Sequence, residues 1–186
     1  MIIKNNDYLN LDLKNKIIIF PTDTVYGIGC LYDDLESIRR IYDIKNRDYS
    51  KPMVILCANY EQINSLIKEN QEIPNYIKNH WPGKLTVIFN KNETVNKLIT
   101  SNKETVGIRI PGNQVSLELL NRYGPMVVTS LNLSNEPAII KYKDALKFHD
   151  LVDYIIKGKD LTSVPSTVYD LTTGKTLRQG EISITK

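Results

Sequence analysis

With 186 residues, 41% of them hydrophobic and 24% charged, the chain has the length and composition of one globular domain with a sizeable core, not of a disordered or fibrous protein. A net charge of +3 demands no polyanionic partner, although 24 lysines and arginines leave room for a local basic groove. No run of about 18 apolar residues and no basic-then-apolar leader occurs, so no helical membrane span is expected and the expected location is the cytoplasm.

In chain order, the first apolar run, 16–20, reads as a buried strand and leads into PTDTVYGIGC, residues 21–30. Gly27 and Gly29 supply two glycines of a dinucleotide fingerprint, but Tyr32 stands where the third is needed and no helix opens at the first, so that reading fails. What remains is a cluster of hydroxyls (Thr22, Thr24, Tyr26) and one carboxylate (Asp23) at a strand end. Residues 34–45 carry an apolar stripe of Leu35, Ile38, Ile41 and Tyr42 behind a capping Asp33 or Asp34, which predicts a helix. KNRDYSKP (45–52) then places three cations within seven residues, before a strand at 53–58.

Asn59 caps a second predicted helix, 59–69, with Ile63, Leu66 and Ile67 turned inward. Strands follow at 84–90 and 105–110; the latter holds Arg109 between two isoleucines, where a cation needs either an anionic ligand or a structural carboxylate. A helix at 114–123, capped by Asn113 and apolar at Leu117, Leu119 and Leu120, precedes a strand at 125–129 that runs into TSLNLSN. The last strands are 152–156 and 166–171, within PSTVYD. TTGKT (172–176) mimics a phosphate-binding loop, but Tyr169 occupies the position of its first glycine, and a Thr-Gly turn between two short strands is the better reading. LRQG (177–180) follows.

Cys30 and Cys57 sit in apolar runs and are expected as buried thiols. His80 and His149 lack metal-ligand spacing, and no protein-held metal is expected. Strands alternating with helices predict an α/β fold: one domain over 1–186, a twisted mixed sheet with packed helices.

Taken in order, PTDTVYGIGC, KNRDYSKPMVIL, WPGKLTVIF, TVGIRIP, TSLNLSNEP, PSTVYDL and LRQG resemble the YrdC-like family of threonylcarbamoyl-AMP synthases. The motifs run from 16 to 180, and with six residues after Gly180 the chain is similar to the short, single-domain bacterial form. Two positions depart from the family pattern: Asn135 stands where Gly is common, and Lys84 where the loop reads W-P-G-P. Asn tolerates a left-handed backbone, so the turn is expected to survive.

The resemblance implies a basic concave groove and a nucleotidyltransferase that joins L-threonine, bicarbonate or CO2, and ATP into L-threonylcarbamoyl-AMP, releasing pyrophosphate. The product would serve N6-threonylcarbamoyladenosine formation at position 37 of tRNA and pass to a tRNA threonylcarbamoyl transferase; weak tRNA binding is a further expectation. Carried onto this sequence, Lys45, Arg47, Lys51 and Arg178 would hold the triphosphate, with Lys45 and Arg47 stabilising charge during the reaction. Thr105 and Asn132 would contact ATP, and Mg2+ would arrive on its phosphates. Arg109 would read the threonine carboxylate, while Thr24, Ser130 and Ser166 would take its hydroxyl and the carbamate. The rivals are a paralogue of the same fold with another carbamoylation substrate, and an RNA-binding module without catalysis.

Overall fold

Strands in this chain sort their side chains in twos, and that alternation builds two hydrophobic layers. In the computed structural model, which describes residues 1–162 and 164–185, the strands are β1 (Ile2–Ile3), β2 (Ile18–Pro21), β3 (Tyr26–Leu31), β4 (Val54–Leu56), β5 (Leu85–Asn90), β6 (Thr105–Arg109), β7 (Met126–Ser130), β8 (Tyr154–Ile156), β9 (Thr167–Asp170) and β10 (Lys175–Arg178). They form one mixed sheet in the order β1-β8-β2-β3-β7-β4-β6-β5-β9-β10. β2–β3, β3–β7, β4–β7, β5–β6 and β9–β10 pair antiparallel; β1–β8, β2–β8, β4–β6 and β5–β9 pair parallel.

Ile17, Ile19, Ile28, Ile55 and Val127 point into one core cluster, whereas Ile18, Phe20, Leu56, Met126 and Val128 point into the other. The first cluster is covered by α1 (Leu35–Ile44), whose Ile38, Ile41 and Tyr42 are buried and whose N-cap, Asp34, accepts a hydrogen bond from Ser37 N–H. The second is covered by α2 of the sheet's opposite side, Gln114–Tyr123, through Leu119 and Leu120, and by the 3-10 turn Asn5–Asn10 through Tyr8. That cluster draws on β1, β8, β2 and β7, with Leu31 of β3 and Leu56 of β4 at its side. Over β4, β6, β5 and β9 the same face opens into a cavity.

Seven strands and the helices at 35–44 and 114–123 fall within a residue or two of the sequence expectation. The helix expected over 59–69 is only Tyr60–Asn64; Ile67 leaves it to form a bridge with Lys91, so Leu66 and Ile67 are buried without being helical. β3 was not among the expected strands. Gly27 lies on the lining of that cavity, and both glycines also have a packing role. A Cβ on Gly29 would stand 2.6 Å from the Val127 carbonyl oxygen, and one on Gly27 would stand 2.8 Å from Val128 Cγ1, so both glycines let β7 approach. Asn135 takes φ of +70°, as expected of a residue replacing glycine in a left-handed turn. Gly174 turns β9 into β10 at φ of +70°, with Asp170 Oδ1 accepting from the amides of Thr172 and Thr173; TTGKT is a hairpin turn. Both cysteines are buried and free.

Candidate active site

The open part of the sheet face exposes every second residue of five strands: Val54 and Leu56, Thr86 and Ile88, Thr105, Gly107 and Arg109, Val128 and Ser130, Val168 and Asp170. With Thr22 and Thr24 before β3, Arg47 after α1, Lys103, and Leu177 and Arg178 from β10, they line a cavity of about 560 Å³. That volume suits a small-molecule ligand. Four cations and one carboxylate on a partly apolar wall focus a positive field where an anionic ligand would sit.

Seven of the ten expected site residues line this cavity: Thr24, Arg47, Thr105, Arg109, Ser130, Ser166 and Arg178. Lys45, Lys51 and Asn132 lie outside its lining. Two of the cations, Arg109 and Arg178, are tied to the hydroxyls. Arg109 is 6% exposed and donates from Nη2 to Asp23 Oδ1 at 2.5 Å, from Nη1 to Thr24 Oγ1 at 3.1 Å and from Nε to the Gly83 carbonyl at 2.9 Å. Burial pulls its guanidinium below the ordinary range, and the Asp23 carboxylate opposes that. Of the two partners the sequence left open for Arg109, the fold provides the carboxylate. Arg178 likewise donates from Nε to the Ser166 carbonyl at 2.9 Å and from Nη2 to Ser166 Oγ at 3.2 Å, while Ser166 Oγ lies 2.8 Å from Thr86 Oγ1.

Lys45 is not a loose loop cation. It is the C-cap of the first helix, 1% exposed, and its ammonium donates to the carbonyls of Ser130 and Asn132 at 2.6 Å each and to Asn132 Oδ1 at 2.8 Å. These oxygens use all three of its protons, so Lys45 fixes the exit of β7. Burial first, then the charge of Arg47, bring its pKa down to about 7. The unfolded chain therefore binds a proton that the folded one releases between about pH 7 and 10.5, and this group makes the fold more stable as pH rises through that window. In urea unfolding, wild type is expected to gain up to about 1.4 kcal/mol per pH unit there relative to Lys45→Met. Parallel pH profiles for the two proteins would refute the assignment.

Arg47 follows through the left-handed Asn46 (φ of +47°), which turns the chain sharply out of the helix. It donates to the carbonyls of Lys51 and Pro52 and lies on the cavity lining. Tyr49 stacks on Tyr42 at 4.4 Å and pins the same loop. Lys51 is exposed, with Nζ 3.3 Å from Asn135 Oδ1. Sequence reasoning missed Lys103, Thr86 and Asp170. A threonine and an aspartate at alternate, cavity-facing positions of apolar strands were the available signal.

An anion-attracting cavity on the bare end of a mixed sheet, with hydroxyls held by arginines, defines a ligand-binding α/β protein. Residues 12–180 match the family described as telomere recombination, and the chain belongs to this Sua5/YciO/YrdC family. It is similar to a protein of Pyrococcus abyssi named threonylcarbamoyl-AMP synthase, 35% identical over 86% of this chain and 48% of that relative; the chain thus spans about half of its length. The synthase of Vibrio parahaemolyticus is 28% identical over 92% of this chain and 96% of its own. Among solved structures, Sua5 of Pyrococcus abyssi complexed with L-threonine superposes with a TM-score of 0.87 at 30% identity, covering 97% of this chain and 57% of that one. Among the described residues no helix is long and apolar enough to cross a membrane.

Proposed function

We propose that this chain is a threonylcarbamoyl-AMP synthase. It joins L-threonine, CO2 from bicarbonate, and ATP, releases pyrophosphate, and supplies the activated threonylcarbamoyl group to a transferase acting on adenosine 37 of tRNA in the cytoplasm. The observation that carries this reading is a cavity in which hydroxyls held by Arg109 and Arg178 share one lining with a further cation, Arg47. Relatives that bear the synthase name, and a neighbour bound to L-threonine, support it.

The threonine amine attacks CO2 and loses a proton, giving a carbamate. A carbamate oxygen then displaces pyrophosphate from the α-phosphorus of ATP. No side-chain nucleophile is needed, because such a displacement depends on alignment and charge neutralisation. Arg47 and Arg178 neutralise the phosphates, and Thr105 lies beside the nucleotide. Lys45 and Asn132 act from behind the wall, and Lys51 flanks the loop that carries Arg47. Mg2+ enters as part of the Mg·ATP substrate. Arg109 keeps two unassigned N–H groups beyond its three bonds, enough for a threonine carboxylate.

Arg47→Ala is expected to raise the ATP requirement for pyrophosphate release about tenfold or more, since a charge-assisted contact contributes roughly 1.5–3 kcal/mol. Its bonds are to carbonyls of its own loop and to the Tyr42 hydroxyl, so the melting temperature should fall by a few degrees at most. Unchanged ATP dependence would take Arg47 out of the nucleotide site. Threonine-dependent pyrophosphate release by the wild type tests the activity itself.

A further inference from the structure

A hydroxyl has one proton to give and two lone pairs with which to accept, so a closed network fixes which way it faces. Thr22 Oγ1 lies 2.7 Å from the Val25 carbonyl, to which it must donate. It also accepts from Thr24 N–H at 3.1 Å. In the 3.0 Å contact between the two hydroxyls, Thr24 is therefore the donor. Thr24 Oγ1 meanwhile accepts from Arg109, which leaves it one lone pair and no proton for the cavity it lines. Ser130 is fixed in the same sense. The Asn132 amide is oriented by giving a proton to the Glu136 carbonyl at 2.7 Å and taking one from Lys45 at 2.8 Å. Ser130 Oγ, 2.7 Å from Asn132 Oδ1, must then donate to it, and it too offers the cavity lone pairs alone.

We propose that Thr24 and Ser130 are fixed acceptors, with their protons held inward by Thr22 and by the Lys45–Asn132 pair, and that the amino-acid part of the cavity selects a ligand presenting two donors. A β-hydroxy α-amino acid has both, an amine and a hydroxyl. This rests on the synthase reading for the identity of the ligand, and it adds Thr22 and Asn132 as positioning residues. Valine leaves one acceptor dry; a β-methoxy side chain brings an oxygen with no proton to a place that takes only N–H or O–H. The Thr86–Ser166 pair differs, because either oxygen can donate in its 2.8 Å contact and its polarity can follow the ligand.

The experiment measures calorimetric binding and pyrophosphate release with L-threonine and O-methyl-L-threonine, on wild type, Thr22→Val and Thr22→Ser. Wild type is expected to favour threonine by about a hundredfold or more. Thr22→Val frees the Thr24 proton to turn towards the cavity, so the threonine-to-ether ratio should fall about tenfold, while Thr22→Ser keeps the wild-type ratio. A purely structural role for Thr22 would weaken both ligands alike, and an unchanged ratio in Thr22→Val overturns the proposal. So does a wild type that takes the ether as well as threonine, a comparison that stands whether or not Thr22→Val folds. Preferential binding of threonine without any pyrophosphate release would leave the fixed acceptors in place and remove the synthase reading; equal release with both amino acids would do the reverse.

Discussion

Asp23→Ala is expected to lower the stability of the fold by about 3–5 kcal/mol, because it strands a buried guanidinium without its carboxylate. The side chains of Asp23 and Arg109 are 11% and 7% exposed, and the pair spans two segments 86 residues apart. For a chain of this size the loss corresponds to roughly 6–20 °C in melting temperature. Among the described residues Asp23 Oδ2 has no hydrogen-bond partner, and it faces Gly112, where an added Cβ would stand 3.2 Å away, so the carboxylate is held through Arg109. Removing both charges should cost less than the two single losses combined: Asp23→Ala with Arg109→Met is expected to recover much of the deficit, as measured by urea unfolding. A double variant destabilised by the sum of the singles would show that the pair is not energetically coupled.

The second large effect is expected from removing residues 177 onward. β10 pairs with β9 alone among the described strands and is exposed throughout, and the removed segment adds to the first hydrophobic layer the partly buried Ile184, so the truncation should leave most of both layers folded. The site would not survive. Leu177 and Arg178 leave the cavity wall, and Ser166 loses the arginine that holds it. Thr167 Oγ1 also loses the Gly180 and Ile182 amides and the Ile182 carbonyl, which tie the segment across β9. Pyrophosphate release should fall at least about a hundredfold, because two or more charge-assisted hydrogen bonds disappear together. Circular dichroism should change little. Arg178→Ala alone separates the charge from the strand and should account for about tenfold of the loss. Normal turnover by the truncated protein would show that β10 contributes nothing to the site.

Much of the fold could be read in advance because its signals are local. Apolar runs marked the central strands, and the apolar stripes behind Asp33 or Asp34 and behind Asn113 marked the two ten-residue helices. β3 escaped because Gly27 and Gly29 weaken strand propensity, and the reason for them lies in β7, about a hundred residues away. The helix over 59–69 stops early because Ile67 finds a strand partner in Lys91, a tertiary contact that overrides its periodicity. The residue types at the site were equally visible, but their pairings were not. Lys45 looked like a free cation because the three oxygens that enclose it come from residues 85 and 87 positions further on. Arg109 signalled an anion in the same way, and sequence alone did not say that Asp23 is one of its partners.

The central claim is that one cavity joins three substrates. The most direct measurement follows labelled bicarbonate into a threonine- and AMP-containing product while pyrophosphate is counted in the same reaction. One labelled carbon per pyrophosphate is expected, with release falling to background when threonine or bicarbonate is omitted. Pyrophosphate released without threonine, or with threonine but no carbon incorporated, would contradict it.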